Sequence, residues 1–154
     1  TLAKYFMQIH KIQPQYLIAS SLGEIAAACV AEVMSFNDAI TFIFKRAQLL
    51  KKSKPGAMLS IKSSYTEIKN LVELHKLDLA LENSFESIVV SGPIDGIAAI
   101  KLKLTEQGIA CLNVDAPYAF HSKQLAHLSS EIAEILSMVF EILSDLLARL
   151  SVMS

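Results

Sequence analysis

Between residues 56 and 116 the apolar spacing switches repeatedly between the two periods of regular structure, and that succession restricts the fold more than any other feature. Residues 57–62 alternate as a strand does, and 66–75 carry helical spacing. Residues 77–82 and 87–91 read as two strands about a turn at Asn83-Ser84. A helix over 94–106 stops at Gly108, and 109–114 is a last strand. Strand–helix–strand–strand–helix–strand is the order of a ferredoxin-like unit, so the sequence predicts a complete βαββαβ subdomain.

The flanks have a different character. Residues 2–10 read as the end of a helix, and 16–19 as a short buried strand after a turn at Pro14. Small apolar residues (Ala26, Ala27, Ala28, Val30) suit a closely packed helix over 22–33. Residues 35–38 look like a turn and N-cap for a second helix over 38–50, ended by the polar stretch KKSKPG at 51–56. Beyond Pro117 a loop, YAFH at 118–121, leads into a long helix whose stripe is Leu125, Leu128, Ile132, Ile135, Leu136, Val139, Leu143 and Leu146. The expected class is α/β. Residues 1–54 would form part of a hydrolase-like core, 55–117 the inserted small subdomain, and 118–154 the return to the core.

Composition narrows the function classes. A net charge of -1 argues against electrostatic binding of nucleic acid. Hydrophobic residues make up 53% of the chain, yet Glu24, Glu32 and Asp38 break the first apolar region and Glu131, Glu134, Glu141 and Asp145 the last, so no membrane span is expected. The N-terminal apolar run is too short for a signal peptide, and the first residue is Thr, so an excised piece is expected. Cys29 and Cys111 have neither metal-ligand spacing nor a disulfide framework; both read as small core residues in a reducing cytoplasm.

The chemistry concentrates at ASSLGE, residues 19–24. A serine is a weak nucleophile unless a base takes its proton and the backbone presents its oxygen. A nucleophile elbow presents it on a tight strand-to-helix turn that crowds the positions two before and two after. Ser21 has Ala19 and Gly23 there, whereas Ser20 has the bulkier Ile18 and Leu22. Ser21 is therefore the candidate, with the Leu22 N–H at the helix start as an oxyanion donor. Of the histidines, His10, His75 and His127 fall on predicted helices and read as solvated, while His121 lies in a loop after a strand, beside an aromatic.

Together these segments resemble the acyltransferase domain of polyketide synthases and its fatty-acid counterpart, malonyl-CoA:acyl-carrier-protein transacylase. ASSLGE stands where that family carries GHSLGE; EIAAACVAEVMSFNDAI, KRAQLL at 45–50, PGAM at 55–58, ENS at 82–84, VVSGP at 89–93 and YAFHS at 118–122 resemble further family segments in the family's order. The resemblance implies a Ser21 nucleophile, a His121 general base, and an Arg46 that grips a free carboxylate, hence a malonyl-type acyl group. It adds Phe120, Tyr118, Met58 and Asn83 to the substrate-binding set. Phe120 follows the malonyl-type pattern and Tyr118 the methylmalonyl-type, with malonyl favoured. The implied partners are malonyl-CoA or a related acyl-CoA, an acyl carrier protein and other synthase domains, with no metal or other cofactor.

Two departures stand out: Ser20 replaces the family His before the nucleophile, and Ala19 replaces the elbow Gly. The family's upstream G-Q-G segment and downstream V-S-N segment are not found, which predicts a fragment. Two alternatives stay open on the sequence: a non-catalytic remnant or interaction module, and an editing acyl hydrolase.

Overall fold

The structure is a computed structural model and describes residues 2–138. Contacts divide the described residues into two units, one of residues 2–47 together with 132–138, the other of residues 48–131.

In the first unit α1 (Leu2–Ile9), α2 (Leu22–Val30) and most of α3 (Phe36–Leu50) follow one another. Ser35 starts α3 as expected, its Oγ accepting the Asp38 N–H at 3.1 Å. The core is Met34, Ala39 and Phe42, joined by Ile25, Ala28 and Cys29 from α2 and by Ile132, Ile135 and Leu136. The last three lie on a helix over 129–138, α6, and belong to the stripe predicted for the C-terminal helix. Val139, Leu143 and Leu146 lie outside the described residues.

The predicted strand over 16–19 does not form: that stretch has no regular structure, and Tyr16 and Ile18 are 89% and 101% exposed. Apolar side chains predict burial, but a strand also needs a ladder of backbone hydrogen bonds, and no described segment supplies one.

In the second unit the elements run β1 (Ala57–Ile61), α4 (Tyr65–Leu74), β2 (Asp78–Ser84), β3 (Ser87–Gly92), α5 (Ile94–Glu106) and β4 (Cys111–Val114). The four strands form one sheet ordered β2-β3-β1-β4, with every neighbouring pair antiparallel. Alternation dictates which side chains meet α4 and α5. Leu59 and Ile61 of β1 lie opposite Val90 and Ile88 of β3, and all four are fully buried with Ile68, Val72, Ile97, Ile100 and Leu104. Truncating one of them, such as Leu59→Ala, would cost about 2–5 kcal/mol.

Local chemistry fixes the ends. Ser64 and Glu67 form a reciprocal capping box that starts α4. Gly108, at φ +77°, lets the chain leave α5 where an L side chain would be strained. The hairpin turns at Phe85-Glu86 and not at Asn83-Ser84, because Ser84 pairs with Ser87 and leaves only two residues for the loop. Where the unit begins and ends, Lys52 Nζ lies 3.1 Å from a Glu131 carboxylate oxygen. No helix among the described residues is long and apolar enough to cross a membrane.

Candidate functional site

Ser21 sits at the N-cap of α2 with φ 53° and ψ -123°, a region that non-glycine residues avoid. Serine is a favoured helix cap, yet the Ser21 side chain makes no capping hydrogen bond. The backbone therefore departs from ordinary geometry at the residue the elbow pattern selects. The turn is held by Gly23 N–H donating to Ser20 O at 2.9 Å and Glu24 N–H to Ser21 O at 3.0 Å. The Leu22 N–H, at the first helical position, takes no acceptor among the described residues, and the Leu22 side chain is 55% exposed. One expectation fails here. A Cβ on Gly23 would meet nothing within 4 Å, so crowding does not explain the glycine among the described residues.

Arg46 lies late in α3, half-buried, with no ion pair or hydrogen bond among the described residues.

In the second unit His121 occupies the turn after Phe120, exposed, with φ 59°. The rings of Tyr118 and Phe120 meet edge-on, 6.1 Å apart, and both are half-buried. Between them Ala119 is fully buried against the start of β1, where Gly56 N–H donates to Pro117 O at 3.2 Å. Met58 is buried two residues further on. The sheet thus gathers Met58, Tyr118, Phe120 and His121 about one end. Asn83 is not among them: it lies five residues along β2 from Asp78, which touches the histidine loop, so roughly 16 Å away at about 3.3 Å per residue.

The other histidines differ from expectation in one case. His10 is exposed and packs its ring against Tyr5 and Phe6. His75, read as solvated, closes α4 with its Nε2 buried and unpartnered among the described residues, and its backbone carbonyl lies close against Gly96 of α5. His127 is exposed on the 3-10 helix Lys123–Leu128; its Nε2 lies 3.3 Å from Ser53 Oγ and its Nδ1 3.0 Å from Gln124 O. Cys111 is half-buried, and desolvation pushes its thiol up, as suits a core residue.

Sequence reasoning missed Asp78 and Gln124. Asp78 accepts the Lys123 N–H at 2.8 Å, and the Gln124 amide donates to Lys54 O and Pro55 O at 3.0 and 3.1 Å. These contacts span 45 to 70 positions, so no local motif could disclose them.

The acyl transferase domain family matches residues 6–150, and the chain belongs to it. It is 37% identical over 133 residues to the non-reducing polyketide synthase adaA of Aspergillus niger, covering 82% of this chain and 7% of that protein. Among solved structures, the malonyl CoA-acyl carrier protein transacylase of Burkholderia pseudomallei is similar with a TM-score of 0.81 and 26% identity, over 89% of this chain and 49% of that one. The acyl transferase domain of SpnD, solved with 2-(pent-4-yn-1-yl)malonyl, gives a TM-score of 0.80 and 28% identity over 89% of this chain and 33% of that one. The chain therefore spans a small part of the curated relatives it matches.

Proposed function

We propose that the chain carries the nucleophile and the base of an acyltransferase that moves a malonyl-type group from coenzyme A to an acyl carrier protein. The observation that carries this reading is the backbone of Ser21, held at φ 53° where a helix begins. Strain of that kind costs about 1–3 kcal/mol and persists at functional sites. Membership of the acyl transferase domain family and the likeness to a malonyl CoA-acyl carrier protein transacylase support it.

In the proposed reaction His121 takes the Ser21 proton as Oγ attacks the thioester carbonyl. The Leu22 N–H donates to the oxyanion. Collapse breaks the C–S bond, the coenzyme A thiolate receives the proton, and the malonyl group remains as an ester on Ser21. The carrier thiol then gives its proton to His121 and attacks that ester, and the proton returns to Ser21 Oγ. Arg46 holds the free carboxylate; Phe120, Tyr118 and Met58 serve the acyl side, and Phe120 disfavours an α-branch. Asn83, at the far end of β2, has no part in this scheme. The chemistry needs no metal or redox cofactor, and it suits a cytoplasmic synthase with neighbouring domains as partners. The first unit reads as part of a hydrolase-like core and the second as a ferredoxin-like subdomain.

Intact-protein mass spectrometry after incubation with malonyl-CoA tests the reading. A malonyl adduct that disappears in Ser21→Ala is expected, whereas a folded chain that takes up no adduct overturns it. The exposure of Tyr16 and Ile18 favours a second reading, a non-catalytic portion that presents this stretch to another segment.

A further inference from the structure

His121 has a positive φ, at 59°, as do Lys11, Ser21, Glu32 and Lys76 among the described non-glycine residues, and the chain on both sides of it is fastened to residues remote in sequence. Before it, Gly56 N–H donates to Pro117 O at 3.2 Å, and a Cβ on Gly56 would stand 2.5 Å from Ala119 N, so the two backbones touch. Across it, Ser122 Oγ donates to Ala119 O at 2.7 Å and closes the turn. After it, one Asp78 carboxylate oxygen accepts the Lys123 N–H at 2.8 Å while the other lies 3.6 Å from Lys123 Nζ. One residue further, the Gln124 amide spends both hydrogens on two consecutive carbonyls, Lys54 O and Pro55 O, at 3.0 and 3.1 Å.

We propose that Asp78 and Gln124 are positioning residues that clamp the His121 turn in its strained conformation and so fix where its imidazole points. This rests on the acyltransfer reading above for its consequence in rate. A left-handed residue relaxes unless its flanks over-determine it. Asp78 fixes the turn to the start of β2, and Gln124 fixes it to the segment leading into β1. Asp78 is the first residue of β2, and Lys54 and Pro55 lead into β1, the strand whose Leu59 and Ile61 pack with Ile88 and Val90 in the core. The turn is therefore fastened at one point to a strand of the sheet and at another to the short segment that enters it. The pair differ in chemistry. Asp78 holds the turn through an acceptor for a backbone N–H, which an amide also supplies; its ion pair with the exposed Lys123 ammonium adds little. Gln124 needs two donors, so a carboxylate of the same shape cannot replace it.

The test uses the whole chain, uniformly 15N-labelled, and four variants: Asp78→Ala, Asp78→Asn, Gln124→Ala and Gln124→Glu. Backbone NMR shifts of His121 report its positive φ, with Ile100 and His10 as internal controls. Acylation by malonyl-CoA is followed over a range of concentrations. Asp78→Ala, Gln124→Ala and Gln124→Glu should move the His121 signal toward ordinary values while the controls stay. They should also lower the saturating acylation rate by about tenfold to a hundredfold, the penalty of misplacing a group by about an ångström, with little change in KM. Asp78→Asn should restore both readouts. An unmoved His121 signal in Asp78→Ala and Gln124→Glu overturns the clamp, and so does a general shift that takes Ile100 with it. Failure of the unaltered chain to acylate would overturn the acyltransfer reading, while the His121 signal would still decide the clamp.

Discussion

A Cβ placed on Gly56 would lie 2.5 Å from the backbone nitrogen of Ala119, closer than side chains approach a main chain. The obstacle is backbone on both sides, so neither partner can swing away. Gly56→Ala should therefore destabilise the second unit by about 1–3 kcal/mol, the usual range for overpacking. Gly23→Ala is the control: nothing lies within 4 Å, and alanine in a helix gains about 0.5–1 kcal/mol over glycine. Urea midpoints of the two variants should move in opposite directions.

Ser21 holds a conformation that glycine adopts without penalty. Ser21→Gly should raise stability by about 1 kcal/mol, because released strain exceeds the added chain entropy. Ser21→Ala keeps the Cβ and should show no such gain. Both should abolish the malonyl adduct. Thermal melts alongside mass spectra read the two effects separately, and a Ser21→Gly less stable than Ser21→Ala would contradict the strain.

Arg46 makes no ion pair among the described residues, so its removal should disturb the fold little. A hydrogen bond to a charged group contributes about 1.5–3 kcal/mol. Arg46→Ala should then lower kcat/KM for malonyl-CoA by about tenfold to a hundredfold, and that for acetyl-CoA much less. Equal losses on both substrates would remove Arg46 from carboxylate recognition.

Glu67 carries a pH dependence of known sign. The hydroxyl of Ser63, then the backbone and side chain of Ser64, hold its carboxyl below its ordinary value of 4.5. Its contribution to stability is present above the unfolded-state value and fades as pH falls through the lowered folded value. Glu67→Gln keeps an acceptor but cannot titrate. The urea midpoints of the two proteins should run parallel above the ordinary carboxylate range and converge or cross below it.

The second unit was legible because each cue there is local: alternation for β1, helical spacing for α4 and α5, and Gly108 at the exit of α5. Residues 16–19 misled because apolarity signals burial without saying what pairs the backbone. The hairpin was displaced by two residues because Asn83 and Ser84 are good turn formers, but pairing of Ser84 with Ser87 overrode propensity. Within the site, spacing and resemblance singled out Ser21 and His121, and the structure shows both at positive φ. The supports of His121 were invisible, since Asp78 and Gln124 act across 45 and 70 residues.

Lys52 and Glu131, joined at 3.1 Å, close the second unit like the two tabs of a cassette. A segment whose entry and exit lie side by side needs almost no linker to be lifted out, transplanted or reopened elsewhere. Insertions at the Phe85-Glu86 tip change its length without moving those tabs. Recombination between relatives just after α3, near position 52, and just before α6, near 128, would then exchange the histidine-bearing half as one heritable piece, leaving the serine to its own half.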